Sequence, residues 1–149
     1  MTELSYEQAL EKNGYFAGPP VGTSMLPLLR EREDVVVIRP CKDVRLLDVI
    51  LYRRAEGTTV LHRVVGLRRG SYVLRGDNQV KNEYGVTDDQ IIGKLSAFYR
   101  KGRAHDMREL PVRIYGAVWW GIFPLRWLLR TLRAPLGRLR RSLKKQKSE

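Results

Sequence analysis

Short apolar runs separated by turn-forming residues dominate the chain from Glu33 to Tyr99. Ahead of them, Leu4, Ala9 and Leu10 carry a helical spacing, so a short helix is predicted over Ser5 to Lys12, with Ser5 as its cap, Gln8 three residues on, and Asn13-Gly14 at its end. Tyr15 to Pro20 reads as a loop or short edge segment stiffened by Pro19-Pro20. The β-branched run Glu33 to Pro40 predicts a strand, followed by strands over Asp48 to Arg53, Thr58 to Val65, Ser71 to Arg75 and Ile91 to Tyr99. Gly66 to Gly70, with glycine at both ends, suits a hairpin connection. Strands this closely spaced, with no helices alternating between them, imply a mostly β fold: a coiled antiparallel β domain with a short N-terminal helix. Lys101 to Glu109 reads as a polar loop in which His105 is solvated, and Leu110 to Pro124 is rich in bulky apolar residues. From Leu125 the pattern turns helical and basic. Leu125, Leu128, Leu129, Leu132, Leu136, Leu139 and Leu143 recur at steps of three or four, arginines fill the positions between them, and Pro135 is expected to kink the helix.

Length and charge refine this picture. The 149 residues suit one domain with appendages. The expected division is 1–20 for the N-terminal helix and lead-in, 21–100 for the β domain, and 101–149 for the apolar segment and basic amphipathic tail. The net charge is +12. Nine basic residues and a single acidic one lie between Leu125 and Glu149, so most of that charge belongs to the tail. Such a tail points to an anionic surface rather than to the fold. Cys41 is the only cysteine, which excludes an intrachain disulfide, and zinc-ligand spacing is absent. The N-terminus is acidic and polar where a signal peptide would be basic and then apolar. No run of about 18 uncharged apolar residues is present to span a bilayer.

Three stretches carry candidate chemistry. Val21 to Leu29 opens with Gly22, passes through Thr23-Ser24-Met25 and is closed by Pro27, a bend able to present the Ser24 hydroxyl outward. Val60 to Val65 places His62 inside a strand-like run, and Gly76-Asp77-Asn78 follows the next strand. A serine hydroxyl needs a neighbouring base to attack a carbonyl, and an imidazole that is mostly neutral at pH 7 can take the serine proton and pass it to the leaving amine. A carboxylate at the other ring nitrogen would orient that base. Asp77 directly follows a strand able to pair beside the one bearing His62. Arg63 is a candidate structural residue tying strand ends to a carboxylate, and Asp34 and Asp48 are expected to brace turns.

The order Ser24-Met25, His62-Arg63-Val64, Gly76-Asp77-Asn78 resembles the conserved boxes of type I signal peptidases, in particular the endoplasmic-reticulum-like branch in which histidine replaces a general-base lysine. The likeness covers about Gly22 to Ser96. It implies a signal-peptidase or LexA-like fold and a serine endopeptidase that cleaves a leader or signal-type peptide, with Ser24 as nucleophile and His62 as base, and with no metal or organic cofactor. In that branch the triad aspartate lies a few residues beyond the Gly-Asp-Asn box, where this chain has Glu83. Asp77 is therefore the first candidate orienter and Glu83 the second, with Asp88 and Asp89 as outsiders. The Ser24 N–H is the natural oxyanion donor. Relatives often add a serine two positions before the nucleophile, but Gly22 stands there, so a second donor falls to Thr23 or elsewhere. The Gly-Asp box before the second strand reads Leu47-Asp48, and the residues ahead of Ser24 do not read as the family's usual N-terminal membrane anchor. A self-cleaving LexA-like repressor is disfavoured, because it would want a lysine base and an N-terminal DNA-binding domain.

The expected partners are a peptide or protein precursor and an anionic membrane surface contacted through residues 114–145. No nucleic acid is expected, because no recognition motif accompanies the basic tail. Basic flanks and an N-terminus that does not read as an export signal lead us to expect a peripheral location on the cytoplasmic side of a membrane. The alternative is a catalytically silent β module that binds membrane or a partner through its basic C-terminal helix.

Overall fold

The computed structural model describes residues 5–132. Helix α1, Tyr6–Asn13, starts from a full capping box in which the Ser5 hydroxyl accepts from the Gln8 amide and the Gln8 side chain accepts from the Ser5 amide; it closes at Gly14. The strands are β1 (Phe16–Gly18), β2 (Asp34–Arg39), β3 (Val49–Arg53), β4 (Thr59–Arg68), β5 (Ser71–Arg75), β6 (Glu83–Val86), β7 (Ile91–Arg100) and β8 (Arg103–Asp106). They form an eight-stranded sheet in the order β1-β2-β7-β3-β4-β5-β6, with β8 also pairing β7 and every pairing antiparallel. The fold is thus mostly antiparallel β.

The five expected strands are present, with ends shifted by a few residues. Three local readings change. Strand β4 continues through Gly66 to Arg68, and the bend is carried by Arg69 and Gly70, because a register shift between Val64 and Gly66 absorbs the extra residue and keeps the strand paired with β5. Glu83–Val86 forms β6, whose Glu-Tyr-Gly-Val sequence has too little apolar alternation to register as a strand. Lys101 to Glu109 is not a plain loop: its centre is β8, and His105 is half-buried and stacked on Phe98 with ring centroids 4.9 Å apart.

Strand β3 is buried at Val49, Ile50, Leu51 and Tyr52, so apolar material covers both of its faces. Val49 and Leu51 belong to a cluster with Leu10, Val36, Ile38, Leu95 and Phe98. Ile50 and Tyr52 belong to a second cluster with Val64, Leu74 and Val86. Met25, Leu28 and Leu29 sink into the first cluster and anchor the serine turn. Asp34 and Asp48 brace turns as expected. Asp34 accepts from the Arg30 amide and pairs with Arg100, while Asp48 accepts from the Arg45 amide and pairs with Lys94.

Helix α2, Leu110–Gly121, begins with proline in its first turn. Val112, Tyr115, Gly116 and Trp119 face the domain, whereas Leu110, Ile114 and Val118 are exposed. A second helical run covers residues 123–132. The expected positions Leu136, Leu139 and Leu143 and the kink at Pro135 lie outside the described residues, as does the end of the 114–145 segment. Among the described residues, no helix is long and apolar enough to cross a membrane.

Candidate active site

The serine turn is rigid for local reasons. Gly22 sits at φ 79°, a left-handed conformation that side chains resist. Immediately downstream, Met25, Leu28 and Leu29 fill the core, leaving Ser24 half-buried and Thr23 exposed at the surface. The turn docks on Gly76-Asp77-Asn78. The Asn78 amide donates to Ser24 O at 2.8 Å, and Asn78 Nδ2 donates to Thr23 O at 3.3 Å. Gly76 allows this approach: a Cβ there would lie 2.6 Å from Ser24 O and 3.1 Å from Ser24 Cβ. The Ser24 amide has no acceptor among the described residues.

His62 lies on β4 opposite Ile50 of β3. On the other side of β4 the next residue, Arg63, pairs with Arg75 at the end of β5, and Gly76 follows directly after that strand. The glycine against which Ser24 packs therefore comes one residue after the cross-strand partner of Arg63, the residue next to His62.

The ring is fully buried but not among hydrocarbon alone. Tyr52 Oη lies 3.2 Å from His62 Nδ1 and donates its one hydroxyl proton to Glu83 Oε2 at 2.6 Å. Having spent that proton, the phenol can only accept from the ring, and Glu83 Oε1, 3.4 Å from Nδ1, is a second acceptor. Nδ1 thus carries the hydrogen and Nε2 the lone pair. Nε2 is buried and has no hydrogen-bond partner, and no hydrogen bond joins it to Ser24 Oγ. Burial pushes the imidazole down to about 4, with the Glu83 carboxylate opposing the shift and Arg54 adding to it. For Glu83, burial disfavours the charge, but hydrogen bonds from Arg54 and Tyr52 outweigh it and hold the carboxyl below its ordinary range. Arg54 pairs with both Glu83 oxygens.

Asp77, the first candidate orienter, is turned elsewhere. Arg63 Nε donates to Oδ1 at 2.7 Å and Arg63 Nη2 to Oδ2 at 2.8 Å, and Tyr115 Oη adds a bond to Oδ2 at 3.0 Å. With both oxygens engaged in a buried fork, Asp77 has a bracing geometry, and the carboxylate beside His62 is Glu83. Arg63 takes the structural part considered for it, also donating to Leu47 O, and the absence of a Cβ at Gly116 lets α2 close over its guanidinium. Asp88 and Asp89 lie in a 3-10 turn, where Asp88 accepts from Tyr72 and Asp89 from Thr87.

Two features escaped the sequence reading. Tyr52 looked like one more apolar strand residue, and its only signal was a polar tip in a run otherwise destined for the core. Arg126 and Arg130, which the helical spacing sets between the leucines, turn onto the domain: Arg126 donates to Asp77 O at 2.6 Å and Arg130 donates to both Asn78 O and Asn78 Oδ1 at 2.8 Å. Trp119 Nε1 donates to Asp77 O as well, so part of the expected lipid-facing group is committed to the domain. Among the described residues, no cluster of three or more His, Cys, Asp or Glu is arranged to hold a metal ion. No protein-family model, no curated protein and no solved structure matches the chain.

Proposed function

We propose that the chain is a serine endopeptidase of the signal-peptidase-like class, with the corresponding coiled β fold, that cleaves a leader or signal-type peptide from a precursor. Ser24 is the nucleophile and His62 the general base, Glu83 acts on the base through Tyr52, and the Ser24 amide is an oxyanion donor. The observation that carries the reading is the state of His62: Nδ1 is tied to the Tyr52–Glu83 pair while Nε2, the proton-accepting nitrogen, is buried without a partner, on the strand that pairs with β5, whose following glycine seats Ser24. A buried polar nitrogen left unpaired costs about 1–3 kcal/mol, a cost that a functional site retains and a structural core removes. In the reaction the Ser24 hydroxyl proton passes to Nε2 as Oγ bonds to the scissile carbonyl carbon. The same proton then goes to the leaving amine, and water hydrolyses the ester by the reverse exchange. The reading requires Ser24 Oγ and Nε2 to come within hydrogen-bond reach when substrate binds, because catalytic hydrogen bonds are often long in unliganded sites and tighten with substrate.

The enzyme works at a membrane surface. This second part rests on the apolar residues Ile114, Val118, Trp127, Leu128 and Leu132, which remain exposed on the outer side of the C-terminal helical segments. The rival reading, a silent β module that binds membrane through the same segment, draws on that exposed surface and on the complete burial of His62. Incubating candidate precursor peptides with wild type, Ser24→Ala and His62→Ala decides between them. The peptidase reading expects cleavage by wild type alone, and cleavage indifferent to both substitutions would end it.

A further inference from the structure

A cleft of ≈ 540 Å³ opens directly beside the serine turn. Leu26 and Pro27, the second and third residues after Ser24, line it together with Arg30, Asn78, Arg126 and Arg130. Arg30 is paired with Glu33, whereas the charges of Arg126 and Arg130 are unbalanced. Arg126 and Arg130 spend their hydrogen bonds on the neutral acceptors Asp77 O, Asn78 O and Asn78 Oδ1, and neither is paired with a carboxylate among the described residues. Arg75 adds a third guanidinium behind them, buried against the Phe123 ring at 3.3 Å and bonded to the amide oxygen of Asn82. The one acidic group within this cluster, Asp77, already has both oxygens occupied by Arg63. Burial, and after it the like charge of Arg130, works against the charge on Arg126; burial, and after it the like charge of Arg126, pushes Arg75 down to about 10. Each guanidinium has five N–H donors, so donors remain at Arg126 and Arg130 after these bonds are made.

We propose that this cleft is a substrate subsite that takes the carboxylate of a peptide, so that the preferred substrates are acidic close to the cut. The inference rests on the peptidase reading and supplies its substrate class. The carboxylate bonds to the free donors of Arg126 and Arg130, and the aliphatic part of the residue lies on Leu26 and Pro27. Either an Asp or Glu side chain or the free end of a short peptide provides the same chemistry.

The test needs no turnover. Full-chain Ser24→Ala protein is titrated, with fluorescence anisotropy as readout, against fluorescein-labelled decapeptides of alanine, glycine and leucine carrying one Glu or one Gln, each with a free or an amidated C-terminus. The Glu peptide is expected to bind about tenfold more tightly than its Gln twin, the worth of one charge-assisted hydrogen bond, with the preference shrinking as salt rises. Preference in the amidated series assigns the site to a side chain, and preference only with a free C-terminus assigns it to the chain end. Because Arg126 and Arg130 also hold the Asn78 turn, two variants are compared. The doubly substituted Arg126→Gln, Arg130→Gln protein binds the Glu and Gln peptides equally, and Arg130→Lys, which keeps the charge, retains the preference. Equal binding of Glu and Gln peptides, no binding of either, or a preference that survives the double substitution overturns the proposal. So does dependence on these arginines for phosphatidylserine vesicles but not for peptides. A chain that binds the acidic peptide yet never cuts one when Ser24 is restored keeps the subsite and loses the peptidase.

Discussion

At His62 the surroundings decide which protonation state the ring can hold. The unfolded imidazole titrates near 6.5 and the folded one at about 4. As pH falls through that window, the unfolded chain therefore takes up the proton first. The ring's contribution to stability is intact above the unfolded value and declines toward the folded one, by ~3 kcal/mol in all. Denaturant midpoints are expected to fall between pH 6.5 and 4, and His62→Gln flattens that limb. The same depression sets the acid side of catalysis: kcat/KM should fall to half near pH 4 rather than near 6.5, because it reports the base in the free enzyme. Glu83→Gln removes the group that raises the ring's pKa, so the limb moves lower still. Tyr52→Phe leaves Nδ1 without the phenol and is expected to reduce kcat by roughly 10–100-fold, as loss of an orienting outer contact commonly does, with KM little changed. An unchanged kcat in Tyr52→Phe removes the phenol from the site. The sequence marked His62 by its rarity, but its partners are Tyr52 on the preceding strand and Glu83 two strands further along the chain, a pairing that no local pattern reveals.

Among the elements, the turn after β5 joins the parts of the molecule. It seats Ser24 through Gly76 and Asn78, holds Arg63 through Asp77, and receives Trp119, Arg126 and Arg130 from the C-terminal helices. Asp77 and Arg63 have almost no side-chain exposure. Asp77→Ala strands a buried guanidinium and is expected to cost about 3–5 kcal/mol in chemical denaturation, well above a surface carboxylate. Gly76→Ala brings a methyl against the Ser24 carbonyl, at a cost of about 1–3 kcal/mol, and displaces the hydroxyl. It should depress kcat more than Asp77→Asn does, and a Gly76→Ala protein with full activity contradicts the docking described for Ser24. The strands β2 to β5 and β7 were legible because their residues are β-branched or aromatic and their ends carry turn formers. Strands β6 and β8 were not, since each is short and polar and is held by ladder bonds to a longer neighbour.

For the whole molecule, the apolar outer side of the C-terminal helices predicts binding to vesicles. The full chain should sediment with phosphatidylserine-containing vesicles and much less with neutral ones, and Ile114→Asp with Val118→Asp should weaken that binding without altering thermal stability, because both side chains are exposed. Sedimentation unaffected by the pair would assign the contact to another surface.

The sequence alone determined what depends on neighbours along the chain: the capped first helix, five strands, a mostly antiparallel β class, a serine on a rigid bend, and a basic segment at the end. Periodicity, caps and turn residues are local properties and can be read without coordinates. Only the tertiary structure decided which carboxylate faces His62, that Asp77 is held by Arg63, that Tyr52 stands between base and acid, and that two tail arginines turn inward beside the serine. Those choices depend on sheet register and on the direction of side chains brought together from distant positions, where a single residue of slip would exchange the partners.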